Sequence, residues 1–231
     1  RDMQRTALGN ETRGLLAEYG KIAPKSISKL KQRLMLEVNG EVCANINDIK
    51  VINNLTDPAK ELFNDLLDEL NGIEQKIKKM EIMLKEIYAN NNLCQKVSKI
   101  PGIGLISSTA LVVELGNASN FKNGRELSAY LGLVPKQHSS GGKNKLLGIS
   151  KRGNKYLRTL LIHGSRAVAT SIDRSKDINR NEFSKNKKLS NWFLNLRLKK
   201  NNNVAITALA NKMARICFVI LNKEQEYICL L

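Results

Sequence analysis

The most regular hydrophobic pattern in the 231-residue chain lies between residues 57 and 89. Apolar side chains recur there at alternating spacings of three and four residues, with Glu, Lys and Asp between them. This heptad spacing places them on one face of an α-helix and is typical of a coiled coil. The eight positions are Phe63, Leu66, Leu70, Ile73, Ile77, Met80, Leu84 and Ile87.

Two partners for this apolar face remain open. The helical stretch at residues 24–38 could cover it within the chain, or a second copy of the chain could cover it in a dimer. Because the repeat keeps strictly to 3.5 residues, which suits a supercoiled partner, we favour dimerisation. The predicted dimerisation residues are Leu66, Leu70, Ile73, Ile77, Met80 and Leu84.

The remainder of the chain is also predicted to be helical from its apolar spacing. A first helix covers residues 1–20, and Thr56-Asp57-Pro58 begins the heptad helix with a polar cap and a proline in the first turn. Further helices are predicted at residues 93–99, 105–115, 124–131, 152–172, 187–199 and 203–222. The fold class is therefore mainly α, with a long coiled-coil helix arm followed by a second helical domain.

The positive charge is concentrated in one segment. Residues 134–215 hold 19 Lys or Arg and three acidic residues, a net +16, whereas the rest of the chain holds 19 basic and 18 acidic residues. When many separate cations bind a polyanion, counterions are released and binding is favoured. DNA or RNA is therefore the expected partner. No membrane partner is expected, because a cationic membrane-surface segment would also need a wide apolar face with exposed aromatic residues.

The cysteine usage suggests a reducing compartment. The four cysteines are scattered, form no C-x-x-C pair and have only two histidines to accompany them, so a structural zinc site is not expected. No signal-peptide pattern opens the chain, and no apolar run approaches the ~18 residues that span a bilayer. We therefore expect a cytoplasmic, nucleoid-associated protein with reduced thiols.

Residues 96–116, KVSKIPGIGLISSTALVVELG, have the pattern of a helix-hairpin-helix motif. Gly102 and Gly104 permit tight backbone geometry, so the amides that begin the second helix could face a phosphate group. A plain helical hairpin with a glycine turn is the alternative. The apolar positions also fit the DNA-binding version, which we favour.

The stretch from Gly132 to Gly164 places Ser139 and Ser140 beside two glycines and a run of cations. A serine hydroxyl is a weak nucleophile without a base, and no acidic partner is evident for His138. Composition alone therefore favours a loop that grips phosphate without catalysis. The predicted nucleic-acid-binding residues are Gly102, Gly104, Lys143, Lys145, Lys151, Arg152, Lys155, Arg158 and Arg166.

The run from Ile100 to Ala169 resembles the C-terminal domain of the insertion-sequence transposases of the one-hundred-ten and eleven-eleven group, which are related to the Piv DNA invertases. Trp192, residues 203–221 and the final Glu226-Tyr227 agree with the same family. This resemblance implies a serine nucleophile that becomes covalently linked to DNA. The family's serine corresponds to Ser140, with Ser139 as the neighbour that could be confused with it.

The resemblance also implies parts that we do not expect in this chain. An N-terminal RuvC-like domain would carry four acidic residues that bind Mg²⁺, so no cofactor is expected here and Mg²⁺ belongs to that missing domain. Some family members are guided by an RNA. The predicted organisation is an exit helix of the RuvC-like domain (1–23), a coiled-coil dimerisation arm (24–92) and a C-terminal transposase domain (93–231) with its serine loop at 135–148.

Two functions are compatible with these observations. The first is the C-terminal portion of a DNA transposase or site-specific recombinase that supplies a serine for strand exchange, with a guide RNA as a second partner. The alternative is a non-catalytic DNA-binding and dimerising module from a truncated element. Whether the chain by itself is an enzyme is left open by the sequence.

Overall fold

The computed structural model describes residues 1–39, 55–141, 146–177 and 187–227. These residues fall into two compact units, residues 1–83 and residues 84–231. The elements are α1 (Asp2–Glu18), α2 (Ile27–Asn39), α3 (Asp57–Ala89), α4 (Asn92–Ser98), α5 (Leu105–Leu115), α6 (Gly124–Tyr130), β1 (Pro135–Gln137), β2 (Leu146–Ile149), α7 (Lys155–Asp177), α8 (Lys187–Lys199) and α9 (Asn202–Lys223). The prediction of a mainly helical fold is confirmed.

The first unit is held together by a core between α1, α2 and the first half of α3. Leu16 from α1, Leu30 and Leu34 from α2 and Phe63 from α3 are all fully buried in this core. Burial of a large apolar side chain contributes about 1.5–3 kcal/mol each. The opening helix is thus packed on its two neighbours in this unit.

The heptad face of α3 divides into two parts. Its first four positions, from Phe63 to Ile73, are buried in the core of the first unit. Met80 is 49% exposed and Ile87 is 48% exposed. The intramolecular partner that we considered therefore covers the first half of the repeat, while dimerisation through the second half stays a prediction.

The second unit is built around α9, which packs against α4, α6, α7 and α8. Ten side chains of α9 are buried, among them Leu209, Met213 and Cys217. By length and composition alone this helix could cross a membrane, although 56% of its most apolar window lies buried inside the fold. Lys212 and Arg215 interrupt its apolar run in the sequence. Its burial is that of a core helix.

The turn between α4 and α5 lies against α7 at a close backbone contact. Gly102 has φ +82°, and a Cβ atom placed there would meet the carbonyl group of Gly164. A Cβ atom at Gly164 would in turn meet the carbonyl group of Gly102. Both glycines are therefore required by packing, since any side chain would separate the turn from the helix.

Candidate nucleic-acid interface

The predicted serine loop is a two-stranded antiparallel hairpin, which the sequence analysis did not foresee. Pro135 of β1 pairs with Ile149 of β2, and Gln137 pairs with Leu146, with an irregularity in the register between them. Ser139 and Ser140 follow β1 and are exposed, and Gly141 has φ +55° at the turn. The two hydroxyls are accordingly presented to solvent near the end of the hairpin.

Backbone hydrogen bonds fix the base of this hairpin to the end of α6. The Ser150 amide donates to the carbonyl of Val134 at 2.8 Å, and the Lys151 amide donates to the carbonyl of Gly132 at 3.1 Å. From α9, the side-chain amide of Asn211 donates to the Leu133 carbonyl at 3.2 Å. The hairpin thus projects from a base whose position is set by the helical core.

Arg158 reinforces the same base from inside the fold. This side chain on α7 is only 8% exposed. Its guanidinium donates to the carbonyls of Leu131 at 3.1 Å and Arg152 at 3.3 Å. We predicted a nucleic-acid contact for Arg158, but its described contacts are internal, so it acts here as a positioning residue.

A three-residue network of Glu114, Tyr130 and Asn154 joins α5, α6 and the start of α7. The Tyr130 hydroxyl and the Asn154 amide donate to the same carboxylate oxygen of Glu114, at 2.7 and 2.9 Å. These bonds, led by that of Tyr130, lower the pKa of Glu114, and the bond to Glu114 raises the pKa of Tyr130. Asn154 also accepts from the Leu157 amide at 3.0 Å, which caps α7.

Four of the predicted cations are exposed. Lys151 and Arg152 lie just before α7, Lys155 is the first residue of α7, and Arg166 lies further along the same helix. Lys151 adopts φ +56°, a conformation that is costly for a residue with a side chain. The predicted contacts of Lys143 and Lys145 fall outside the described residues.

The two glycines of the predicted helix-hairpin-helix differ in their surroundings. Gly102 contacts the backbone of Gly164, whereas Gly104 precedes α5 and is exposed, and a Cβ atom placed there would meet nothing within 4 Å. The amides that begin α5 therefore lie at the surface, as a phosphate contact would require. The helical hairpin is present, and its DNA-binding role stays a prediction.

The described residues contain no group of three or more His, Cys, Asp or Glu side chains that could hold a metal ion.

Comparison with known proteins relates part of the chain to a protein family. Residues 94–180 match the family model described as transposase IS116/IS110/IS902. The match to this transposase domain confirms the resemblance to insertion-sequence transposases, and its range includes the hairpin, both serines and most of α7.

Relatives extend the similarity beyond the transposase domain. The transposase for insertion sequence element IS1111A from Coxiella burnetii is 39% identical over 225 residues, which cover 97% of this chain and 56% of that protein. The transposase for IS1328 from Yersinia enterocolitica is 30% identical over 217 residues, covering 94% of this chain and 58% of that protein. The chain spans somewhat more than half the length of these relatives.

A shorter similarity links the chain to a protein that inverts DNA. The pilin gene-inverting protein of Moraxella bovis is 36% identical over 72 residues, or 31% of this chain and 22% of that protein. Its name associates it with recombination rather than with an insertion sequence. Transposition and inversion thus both occur among the proteins that this chain resembles.

Sequence reasoning missed the residues that hold the hairpin in place. Glu114, Tyr130 and Asn154 lie far apart in the chain and carry no shared motif. The signals that could have found them are indirect: Gly132 and Gly153 both have positive φ at close backbone contacts, and both flank this network. Glycines on both sides of a basic stretch can indicate that the two ends of that stretch pack closely against each other.

Proposed function

We propose that this chain is the DNA-binding, serine-bearing portion of a transposase or site-specific recombinase. The observation that carries the proposal is the exposed Ser139-Ser140 pair, held on an anchored hairpin within a transposase domain. The exposed cations Lys151, Arg152 and Lys155 at its base supply positive charge for DNA phosphates. The exposed second half of the apolar repeat of α3 would join two copies.

The proposed reaction is a transfer of a DNA phosphodiester to Ser140. The Oγ atom attacks phosphorus, an Oγ–P bond forms, and the bond from phosphorus to one sugar oxygen breaks. The Ser140 proton passes to a base and the leaving sugar oxygen takes up a proton, so no oxidant or reductant is needed. Nearby cations stabilise the charge that develops on the phosphoryl oxygens. The resemblance assigns the base and the metal to the RuvC-like domain.

Replacing Ser140 with Ala tests this chemistry. With a RuvC-like domain supplied, we expect Ser140→Ala to abolish strand exchange while DNA affinity stays nearly unchanged, because one exposed hydroxyl contributes little to binding. Ser139→Ala should be milder. Trapping the covalent protein–DNA adduct and mapping it by mass spectrometry would identify the serine. Full strand exchange by the double alanine variant would exclude a serine mechanism.

A second candidate function is a non-catalytic module that binds DNA and self-associates. It is favoured by the exposed apolar part of α3, which offers a surface for self-association. Such a module would assemble with an intact transposase and inhibit it. A guide RNA, which the resemblance implies for some relatives, would be a second partner under either function.

Self-association can be tested without unfolding the first unit. Ile73 belongs to the core, so we choose Met80 and Ile87, which are about half-exposed. Met80→Lys with Ile87→Lys should convert a dimer to a monomer in analytical ultracentrifugation, because it places two charges in the predicted seam. The control is Lys79→Gln, outside the apolar face. A wild-type chain that sediments as a monomer would contradict the dimer.

A further inference from the structure

A groove of 1240 Å³ lies beside the serine hairpin, on the side formed by α8, α9 and the start of α6. Ile149 of the hairpin and Val219 of α9 contribute apolar surface to it. This volume exceeds the ~300–1,000 Å³ typical of a small-molecule site, so it suits several units of a polymer. Among the described residues that line it, none comes from α7, which carries Lys155 and Arg166.

The charged side chains that line this groove are mostly positive. Lys122, Lys212, Arg215 and Lys223 all line it. The acidic residue at its edge, Glu226, is already paired with Lys99. An anionic occupant is therefore favoured over a neutral or cationic one.

An aromatic side chain lies among these cations. Trp192 is half-buried in the groove, and the Lys212 ammonium lies 4.3 Å from the centre of its ring. Burial lowers the pKa of Lys212, with the charge of Arg215 adding to the effect. A partly desolvated cation next to an aromatic face offers a phosphate contact and a stacking surface within one side-chain length.

We propose that this groove binds a segment of unpaired nucleotides, separately from the surface beside Ser140. Cations alone would bind any polyanion. The apolar wall and Trp192 can contribute contacts only to a ligand whose bases are exposed. A duplex keeps its bases stacked and paired, so it cannot use them. Lys212, Arg215 and Lys122 hold phosphates, and a base stacks on Trp192 as the Lys212 ammonium moves from the ring to a phosphate.

Because Trp192 is the only tryptophan in the chain, its fluorescence reports on this groove alone. The full chain is titrated with a single-stranded oligonucleotide of about ten nucleotides, as DNA and as RNA, and with the DNA duplex of the same sequence. We expect either or both single strands to quench the Trp192 emission to saturation. The strand with the higher affinity shows whether the groove prefers deoxyribose or ribose. The duplex, followed by anisotropy, should bind without quenching.

Two variants and one control distinguish binding in the groove from a general attraction by the net charge of the protein. Lys212→Gln with Arg215→Gln should lower the slope of log affinity against log salt for single strands by about 1.4, from ~0.7 per phosphate contact. Trp192→Leu should weaken single-strand binding roughly tenfold in anisotropy, with the fold checked by circular dichroism. Lys78→Gln with Lys79→Gln, on α3, removes the same charge and should change neither.

Three results would overturn the proposal: equal quenching by duplex and single strand, an unchanged single-strand affinity in both groove variants, or equal quenching by polyglutamate. Ser140→Ala should leave the quenching unchanged. The test of the groove therefore succeeds or fails independently of the serine chemistry.

Discussion

The interior of the second unit and the surface beside its hairpin use similar residues for different purposes. In the interior, Gly102 and Gly164 allow two backbones to touch, and Arg158 is enclosed between carbonyl groups. At the surface, Gly104 is open to solvent and Lys155, three residues before Arg158, is exposed. Basic and glycine residues thus supply both the frame of the site and its contact surface.

This difference shows how a basic segment should be interpreted. Two cations one turn apart lie on the same face of a helix, yet Arg158 is enclosed by the carbonyl groups of Leu131 and Arg152 while Lys155 is exposed. A count of charges alone would treat every such residue as a contact for nucleic acid. The buried ones instead stabilise the fold. The difference predicts that substitutions in the frame reduce stability, whereas those at the surface reduce affinity.

The largest effect is expected at the contact between the two glycines. Gly102→Ala should lower the free energy of unfolding of the second unit by about 3 kcal/mol, because it combines strain at positive φ with an overlap against Gly164. Urea unfolding followed by Trp192 fluorescence measures this. Gly104→Ala, with φ −98° and open space, should cost less than about 1 kcal/mol. A stable Gly102→Ala variant that loses DNA binding would instead assign the turn to DNA.

The next effect is expected at Arg158. Arg158→Ala should cost about 2–3 kcal/mol of unfolding free energy, because it leaves the carbonyls of Leu131 and Arg152 without their charged donor. Arg158→Lys should restore only part of it, since an ammonium lacks the planar fork of donors. The matched control Lys155→Ala should stay within about 0.5 kcal/mol. Equal stability of the two alanine variants would contradict the division.

At the surface, the effect should appear in the salt dependence of duplex binding. Replacing Lys151, Arg152 and Lys155 with Gln should reduce the slope of log affinity against log salt by about 2.7, from ~0.9 per phosphate contact. The melting temperature should hardly change, because all three side chains are exposed. Fluorescence anisotropy across a salt series measures the slope.

The control for this triple variant carries the same change of charge elsewhere. Lys76, Lys78 and Lys79 are exposed on α3, and their replacement with Gln should leave the slope unchanged. A slope reduced equally by both triple variants would mean that net charge, and not the surface beside the hairpin, governs binding.

The smallest effect is a dependence of stability on acid. The folded state lowers the pKa of Glu114, chiefly through the Tyr130 hydroxyl, so its contribution is present above the ordinary pKa of 4.5 and is lost as pH falls through the lowered value. Unfolding curves between neutral pH and about pH 3 should show this loss in the wild type. Glu114→Gln should flatten the profile in that window, and an identical profile would show that the network does not contribute.

Most of the helices could be predicted from the sequence. The predicted helices at residues 105–115 and 187–199 have the observed bounds, because their apolar spacing coincides with burial against α9 and its neighbours. The beginning of α7 was placed three residues early, since the left-handed Lys151 and the contacts of Gly153 delay the first turn to Lys155. Such backbone contacts leave no periodic trace in a sequence.

The hairpin and the groove could not be predicted in the same way. Nearly all of β1 and β2 is exposed, so the strands show no alternation of apolar and polar residues that would distinguish them from a loop. The groove combines residues such as Lys122, Ile149 and Arg215, which only the packing of α6, the hairpin and α9 brings together. The serines themselves were identified by resemblance, and their catalytic role stays a prediction.

Because the base of the hairpin is anchored, the distance of Ser140 from the helical core depends on the length of the two strands. The bonds of Ser150 and Lys151 to the chain before β1 fix one end, and nothing in the helical core needs to change if the strands grow. Two residues added to each strand, after Gln137 and before Leu146, would advance the serines by roughly 7 Å and keep them on the same face. A single added residue would turn them to the opposite face. Related proteins could thus adjust the distance between their serine and the DNA in steps of two residues.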